Sequence, residues 1–441
     1  MEKRGRQLVR YIVPSVLGQV CYFLFLIVDG IFVGRGIGSE ALAAVNIAFP
    51  YIFVANALYM LINIGGVSIS AIRLGRGEKE RANEVFHHST LALLIVAALL
   101  SAIGLLFTDP LGRLMGAGDT YFDFVHDYLF HYSMFLIPSA LGMGLQAYGR
   151  NDNAPGLVGA TVIVITVLNI FLDWLLIFPF PMGTKGVALA TGVSQTVGFL
   201  ILLPHFLLKK GVFTFRLPKI KWSLYKEIAL RGLPAGIGSI APAVMTLCMN
   251  LVLADKIGDA GVNAFAVISY IASFAAAVFI GTGDGLQPLF GKTYGAGNKK
   301  DLRFYFGAGL IINFVGSIIV TALILAFSEP VCALFGAKGE TLTCTLKALP
   351  LYVWGFVFTA FNTMIVSYLY STEQTGRALI LSLLRSIVLS AAVTFTVPAI
   401  FGGTSVWLTM GIYEALTLMV AVFMLVIKKR RTTTSNHLEN T

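Results

Sequence analysis

Five of the ionisable residues that lie within long apolar runs of the sequence are the first candidates for chemistry. A charged side chain is costly to place inside a bilayer, so a residue of this kind marks an ion or substrate pathway by default. The five residues are Asp29, Asp173, Asp284, Arg385 and Glu414. Their positions predict that the chemistry of this chain takes place within a membrane.

Asp29 and Asp173 form the most informative pair. Asp29 lies in the first apolar run, in FLIVDGIFVG, and Asp173 lies in the fifth, in VLNIFLDWLLIF. Asn169 precedes Asp173 by about one helical turn and shares its helix face. Burial and a second carboxylate nearby both favour the protonated form of a carboxylic acid, so this trio suits reversible binding of H⁺. Its oxygen atoms suit Na⁺ as well. The alternative is that each aspartate lies solvated near a membrane interface and is inert.

Asp284, Glu414 and Arg385 allow two interpretations. The two acids are candidates for attracting cationic substrates or for taking part in ion coupling, and Arg385 is a candidate partner for one of them. Alternatively, these residues form a structural ion pair, or Arg385 extends its charged end towards the membrane surface.

The sequence has no motif for a metal, a cofactor or an enzymatic reaction. Its four cysteines form neither a CxxC motif nor a cluster with histidine, which argues against a metal site. The segment GRGIGSEALAA resembles a glycine-rich phosphate loop, but no strand precedes it and the P-loop lysine is missing. We therefore expect no enzyme activity, no metal and no cofactor, and an ion gradient as the source of energy.

The composition places these residues in a membrane. Of the 441 residues, 57% are apolar and 12% are charged, whereas a soluble domain carries about 25% charged residues. A helix needs about 20 apolar residues to cross the bilayer core, and it satisfies its backbone hydrogen bonds internally. The sequence therefore predicts an all-α polytopic membrane protein with twelve transmembrane helices. They fall at 10–34, 41–72, 86–107, 121–148, 156–178, 186–208, 232–254, 262–290, 304–327, 346–371, 377–400 and 405–427.

The two halves of the chain repeat each other with a constant offset. Pro14 matches Pro234, and IGSEALAA matches IGDAGVNA at the same spacing. The separation of Pro14 from Pro234 is called the repeat offset below. Asp29, by contrast, aligns with Met249, and the second half has no acid at the position of Asp173 either. The repeat therefore predicts a shared scaffold in which only the first half couples to an ion.

This repeat predicts two pseudo-symmetric six-helix lobes, at 1–208 and 232–441, joined by a basic linker at 209–231. Because six is an even number, both lobes have the same orientation in the membrane. Parallel repeats of this kind place a central site between the lobes that opens to either side in turn. A channel would call for a selectivity filter or rings of charge, and the sequence has no candidate for either.

The basic residues predict the orientation. Most of the 32 lysines and arginines lie in the loops and termini on one side of the predicted helices. This asymmetry places both termini, the linker and the short carboxyl-terminal tail in the cytoplasm. It also explains the net charge of +10 through contact with anionic membrane lipids, without nucleic acid as a partner.

Several longer motifs resemble those of a known family. The sequence is similar to the MATE (multidrug and toxic compound extrusion) family, and to its MepA-like branch in particular. The motifs that carry the resemblance are VDGIFVGRGIGSEALAAVNIAFP, LGRGEKERANEVF, LNIFLDWLLIF, GVALATGVSQ and QPLFGKTYGAGN.

The resemblance implies export driven by H⁺ or Na⁺, with an ion site in the first lobe. That site comprises an aspartate on the first helix, an Asn-x-x-x-Asp pair on the fifth and a threonine on the sixth. Asp29, Asn169, Asp173 and Thr191 occupy these positions here. The acid that some members carry on the seventh helix is missing, because residues 232–254 contain neither Asp nor Glu.

We therefore expect an antiporter that exports cationic amphipathic drugs and toxic compounds by alternating access, coupled to H⁺ or, as the less favoured ion, to Na⁺. We expect it to act as a monomer in the bacterial cytoplasmic (inner) membrane. A lipid-linked saccharide flippase of the wider superfamily is the alternative, although it calls for basic rather than acidic residues within the membrane. A sensor that transports nothing is a third hypothesis.

Overall fold

The computed structural model describes residues 2–216, 219–334 and 337–438, and helices account for nearly all of them. No strand occurs within these ranges. The α-helices of the first half are α1 (Glu2–Gly36), α2 (Ser39–Gly75), α3 (Lys79–Leu106), α4 (Thr108–Leu114), α5 (Asp119–Met134), α6 (Leu136–Asn151), α7 (Pro155–Ile177) and α8 (Gly183–Leu207).

The second half follows the same order of long and short helices. Its members are α9 (Trp222–Lys256), α10 (Asp259–Gly295), α11 (Lys299–Ala326), α12 (Ser328–Leu334), α13 (Gly339–Val353), α14 (Gly355–Ser371), α15 (Thr375–Leu383), α16 (Leu389–Phe401) and α17 (Thr409–Leu438). A π-helical turn, Leu384–Val388, joins α15 to α16, and a 3₁₀ turn, Gly403–Leu408, precedes α17.

The helices confirm the prediction of an all-α protein with twelve spans. Within the described residues, ten segments are long and apolar enough to cross a membrane, and the pair α13 and α14, bent by 47°, gives an eleventh when it is counted as one span. The pair α5 and α6 occupies the equivalent place in the first half. It is more polar than its counterpart because α5 carries Asp119, Asp123, His126 and Asp127.

Backbone conformations recur at the repeat offset as well. Gly77 and its equivalent Gly297 both have positive φ, at 81° and 67°, and both lie in the turn that follows a long helix. Asn153 and its equivalent Glu373 share the left-handed conformation, with φ of 61° and 60°. Since a positive φ is rare outside glycine, this agreement shows that the two halves form the same turns.

The chain divides into two compact units. The first contains Met1–Ser239 and Asp284–Leu302, and the second contains Ile240–Gly283 and Arg303–Thr441. Helices α9 and α10 therefore contribute residues to both units. The units follow spatial contacts, whereas the predicted lobes follow the sequence repeat, and for this reason their boundaries differ.

The described part of the range predicted as a linker belongs to the first unit and packs within it. Residues 217 and 218 lie outside the described residues. Phe213 is 0% exposed, with its ring 5.4 Å from Phe86 and 5.1 Å from Tyr148. Asp152 accepts a hydrogen bond of 2.7 Å from the Val212 amide. Helix α9 then begins at Trp222, within the range predicted as linker.

We expect Phe213→Ala to release this segment. The substitution removes a buried ring and should cost about 3–5 kcal/mol in the free energy of docking and folding. Exposed linker lysines should then become sites of faster trypsin cleavage in purified protein. Ile220→Ala is the matched control, because Ile220 is 61% exposed and the loss of its side chain should leave the cleavage rate unchanged. Equal cleavage rates in the two variants would contradict the anchoring role of Phe213.

Candidate functional site

Three helices of the first unit place the predicted ion-coupling residues. Helix α7 packs against both α1 and α8. Its close approach to α1 depends on Gly159, since a Cβ atom there would lie only 2.7 Å from the Cβ of Pro14. Asn169 and Asp173 lie on the buried face of α7, about one turn apart. The site is therefore built from side chains on long, tightly packed helices.

The Asp173 side chain is fully buried. It is 0% exposed, and among the described residues neither of its carboxylate oxygens has a hydrogen-bond partner. Asp29 on α1 is partly buried, and its Oδ1 atom also has no hydrogen-bond partner among the described residues. The two carboxylates are close enough to interact electrostatically. Because an unpaired buried charge is costly, this pair favours the uptake of a proton or a metal cation.

Asn169 and Thr191 extend the polar patch towards α8. The Asn169 side chain is 1% exposed and donates a long hydrogen bond of 3.5 Å from Nδ2 to the Thr191 Oγ1 atom. Asn169 Oδ1 has no partner within the described part of the chain. An amide oxygen, a hydroxyl and two carboxylates are thus available on neighbouring helices as oxygen ligands. The structure brings the predicted residues of the first lobe onto three adjoining helices.

Tyrosines adjoin this acidic pair, and the sequence reasoning missed them. Tyr128 on α5 lies within electrostatic reach of both Asp29 and Asp173. Its ring stacks on that of Tyr132, with 5.8 Å between the ring centroids. The hydroxyl groups of Tyr22 and Tyr59 lie within the same electrostatic range of Tyr132. The available signal was the i, i+4 spacing of Tyr128 and Tyr132 in a span that also carries several charges.

Glu414 and Arg385 form an ion pair within the second unit. Arg385 Nε donates to Glu414 Oε1 over 2.7 Å, and Asn362 Nδ2 donates to Glu414 Oε2 over 2.7 Å. Glu414 is 2% exposed, and Arg385 also donates to Thr363 Oγ1 over 3.3 Å. Both oxygens of Glu414 are therefore occupied, which favours the structural interpretation of this pair over a free acid for substrate.

Asp284 has a different partner. It is 9% exposed and accepts a hydrogen bond of 2.9 Å from Gln19 Nε2. Gln19 belongs to α1, the helix that carries Asp29. In the described residues, Asp284 thus shares no hydrogen bond with Asp173 or Asn169. The described residues also contain no group of three or more His, Cys, Asp or Glu that could hold a metal ion.

Membrane-spanning helices in two repeated halves, together with carboxylate oxygens that have no hydrogen-bond partner among the described residues, define a polytopic membrane transporter. Comparison with known proteins gives the family. The family model MatE matches residues 14–175 and 234–396. The two matches begin at Pro14 and Pro234, the pair that defines the repeat offset. The chain belongs to the MatE (MATE) family of multidrug efflux transporters, which are transporters and not enzymes.

Two relatives and one solved structure illustrate the similarity. The chain is 28% identical to an FAD transporter of Shewanella oneidensis over 353 residues, covering 77% of this chain and 76% of the relative. It is 27% identical to multidrug export protein MepA of Staphylococcus saprophyticus over 438 residues, covering 97% and 94%. The outward-facing structure of a multidrug resistance MATE family transporter superposes with a TM-score of 0.92 at 23% identity, covering 98% and 97%. These similarities do not favour the lipid-linked saccharide flippase that the sequence left as an alternative.

Proposed function

We propose that this chain is an antiporter that exports cationic amphipathic compounds in exchange for H⁺, with Na⁺ as the alternative coupling ion. The observation that carries the proposal is the pair of Asp29 and Asp173. Both carboxylate oxygens of the buried Asp173, and Oδ1 of the partly buried Asp29, lack hydrogen-bond partners among the described residues. Asn169 and Thr191 complete the ion site. Entry of the coupling ion neutralises this pair, so its charge state differs between the two steps of the transport cycle.

The surroundings of the pair support a cationic substrate. Carboxylates attract cations directly, and the faces of the neighbouring tyrosine rings attract them through their π electrons. In the second unit, the charge of Arg385 is balanced by Glu414 at 2.7 Å. The acidic groups of the first unit are thus available to a cation, whereas this arginine is engaged and does not attract an anion.

Purified protein in proteoliposomes tests both the function and the ion. An inward H⁺ gradient and an inward Na⁺ gradient are imposed in separate experiments, and export of a fluorescent organic cation is followed in each. We expect transport with the H⁺ gradient, and a loss of transport when a protonophore dissipates it. Transport with the Na⁺ gradient alone would replace H⁺ by Na⁺ in the proposal. Absence of transport with either gradient would contradict an ion-coupled exporter.

Export of a flavin dinucleotide is the second candidate, because one relative is an FAD transporter at 28% identity. Such a substrate is an anion, and the buried acidic pair argues against it. The same vesicles, loaded with FAD, separate the two candidates. Export of FAD without export of the organic cation would favour the second.

The proposal includes a location in the bacterial inner membrane, with both termini in the cytoplasm and the monomer as the working unit. The bacterial relatives support that membrane, and the distribution of basic residues supports the orientation.

A further inference from the structure

The amino-terminal ends of α1 and α9 and the carboxyl-terminal ends of α2 and α10 meet within the first unit. At this point α2 and α10 approach backbone to backbone. A methyl group added to Gly75 would overlap the carbonyl oxygen of Lys292, and one added to Gly295 would overlap the carbonyl oxygen of Ile72. Glycine is therefore required at both positions if the helices are to stay this close.

These contacts join residues that occupy equivalent positions in the sequence repeat. Gly75 and Gly295 are equivalent at the repeat offset, and so are the two residues that they touch, Ile72 and Lys292. Ala71 faces its own equivalent, Gly291, and thus marks the pseudo-two-fold axis. The contacts of α2 with α9 and of α10 with α1 are also equivalent in the repeat. Gly65 of α2 abuts α9 at Ile228 and Gly232, and its equivalent Gly285 of α10 abuts α1 at Tyr11 and Ile12.

One polar contact on the side of α1 breaks this symmetry, and further polar contacts accompany it. Gln19 donates to Asp284 over 2.9 Å, and both have apolar or small equivalents in the other half, Ser239 and Ile64. Asn153, in the turn before α7, accepts hydrogen bonds at its Oδ1 atom from Tyr11 Oη over 2.8 Å and from Lys292 Nζ over 2.9 Å. Arg4 forms an ion pair with Asp301.

On the side of α9, Glu227 pairs with Arg73 at 3.6 Å and with Arg231 at 3.2 Å. The Glu227 side chain is 36% exposed, so water competes for these contacts. By comparison, the Gln19–Asp284 hydrogen bond is partly buried, with Asp284 9% exposed. It lies where α1 meets α10, and α1 is the helix that carries Asp29.

We propose that this four-helix contact is the closed cytoplasmic gate of the transporter, and that the Gln19–Asp284 hydrogen bond is its latch. Gln19 and Asp284 are positioning residues, which hold α1 against α10 in the closed state. Opening the gate requires α2 and α10 to separate at their glycines and α1 to leave Asp284. Because Asp29 lies on α1, loading of the ion site and release of the latch act on the same helix. This inference rests on the proposed transport cycle, but the gate itself is testable without transport.

The test uses a reporter cysteine within the gate. The four native cysteines are replaced by serine, and Ala71→Cys is introduced, since Ala71 is 0% exposed and lies on the axis. The rate of labelling by a membrane-impermeant maleimide is measured in inside-out vesicles, without substrate and without a gradient. In the closed state the rate should be low. Asp284→Ala and Gln19→Ala should each raise it by about tenfold, which is the order expected for loss of one partly buried hydrogen bond.

Two comparisons separate a latch from a general loss of structure. Asp284→Asn keeps an oxygen that accepts from Gln19 and should restore slow labelling. The double variant Asp284→Ala with Gln19→Ala should label no faster than either single variant, because the same bond is lost. Asp255→Ala is the control, since Asp255 pairs only with its neighbour Lys256 in the described residues. Labelling at the parent rate in both single variants, or additive effects in the double variant, would overturn the latch.

The glycine contacts have a symmetric test. Gly75→Ala and Gly295→Ala should accelerate labelling by similar factors, because each methyl group meets a backbone carbonyl that cannot rotate away. Gly307→Ala is the matched control, with no atom within 4 Å of the added Cβ. If Gly75→Ala and Gly295→Ala behave like Gly307→Ala, the contact is not a gate. The protein could show the expected labelling rates and yet fail to transport organic cations. That result would support the gate and contradict only the proposed substrate.

Discussion

Asp29→Asn should abolish gradient-driven export of organic cations while leaving expression and helical content unchanged. Asparagine has nearly the same shape as aspartate but can neither take up nor release a proton at neutral pH. One oxygen, Asp29 Oδ1, has no hydrogen-bond partner in the described residues, so the amide nitrogen can take its place without loss of a hydrogen bond in the protein. The measurement is export from proteoliposomes under an imposed H⁺ gradient, with flux expected at the level of empty liposomes.

A second readout distinguishes a lost coupling step from a misplaced helix. Binding of the organic cation to wild-type protein in weakly buffered solution should release protons, because the cation and H⁺ compete for the same pair of carboxylates. In Asp29→Asn, the release should be reduced or absent, and Asp173→Asn should behave alike. Asp123→Asn is the matched control, since Asp123 is exposed on α5. Export at the wild-type rate by Asp29→Asn would end the assignment of Asp29 to ion coupling.

The architecture could be predicted because it depends on local and repeated features. Runs of apolar residues define spans wherever the bilayer is the solvent, and each run was visible without reference to any distant residue. The repeat offset then established the equivalence of Gly75 with Gly295 before any contact was known. The structure contains both the membrane-spanning helices and the repeat, and the equivalent residues Asn153 and Glu373 share a positive φ.

The contacts of the candidate residues could not be predicted, because they join residues that are far apart in the chain. Gln19 and Asp284 are separated by 265 residues, and nothing in either neighbourhood indicates the other. The docking of Phe213 between Phe86 and Tyr148 could not be predicted from the sequence either, because these residues are also far apart in the chain. A basic stretch of linker is usually solvated, and only the tertiary packing of α3, α6 and α8 offers it an apolar pocket.

Arg385 and Glu414 show how such contacts change the interpretation of a charge. From the sequence, each was a candidate for function because charges within a span are costly. In the structure, the attraction between the two charges offsets the cost of burying them. Asn362 Nδ2 donates a hydrogen bond of 2.7 Å to the second oxygen of Glu414. Arg385 lies in a π-helical turn, Leu384–Val388. The pair therefore serves the packing of α14, α17 and this turn, and substitutions should affect stability before transport.

Glu414→Ala should lower the stability of the protein strongly, because it leaves Arg385 charged and unpaired among helices. Removing one partner of a buried ion pair costs about 3–5 kcal/mol. The lower end applies here, since the Arg385 side chain retains 24% exposure and gains some hydration. The measurement is the apparent melting temperature in detergent, which should fall clearly. The double variant Arg385→Met with Glu414→Leu should recover most of the loss, because apolar side chains of similar volume replace a buried pair at little cost.

The double variant also decides between structure and function. If the pair is structural, the recovered protein should export organic cations at close to the wild-type rate under an H⁺ gradient. A double variant that melts like wild type and yet transports nothing would show that the charges themselves take part in the cycle. Ion coupling would then not be confined to the first half. The second half has no acid at the positions equivalent to Asp29 and Asp173, so it would couple through Arg385 and Glu414, which lie elsewhere on the same scaffold.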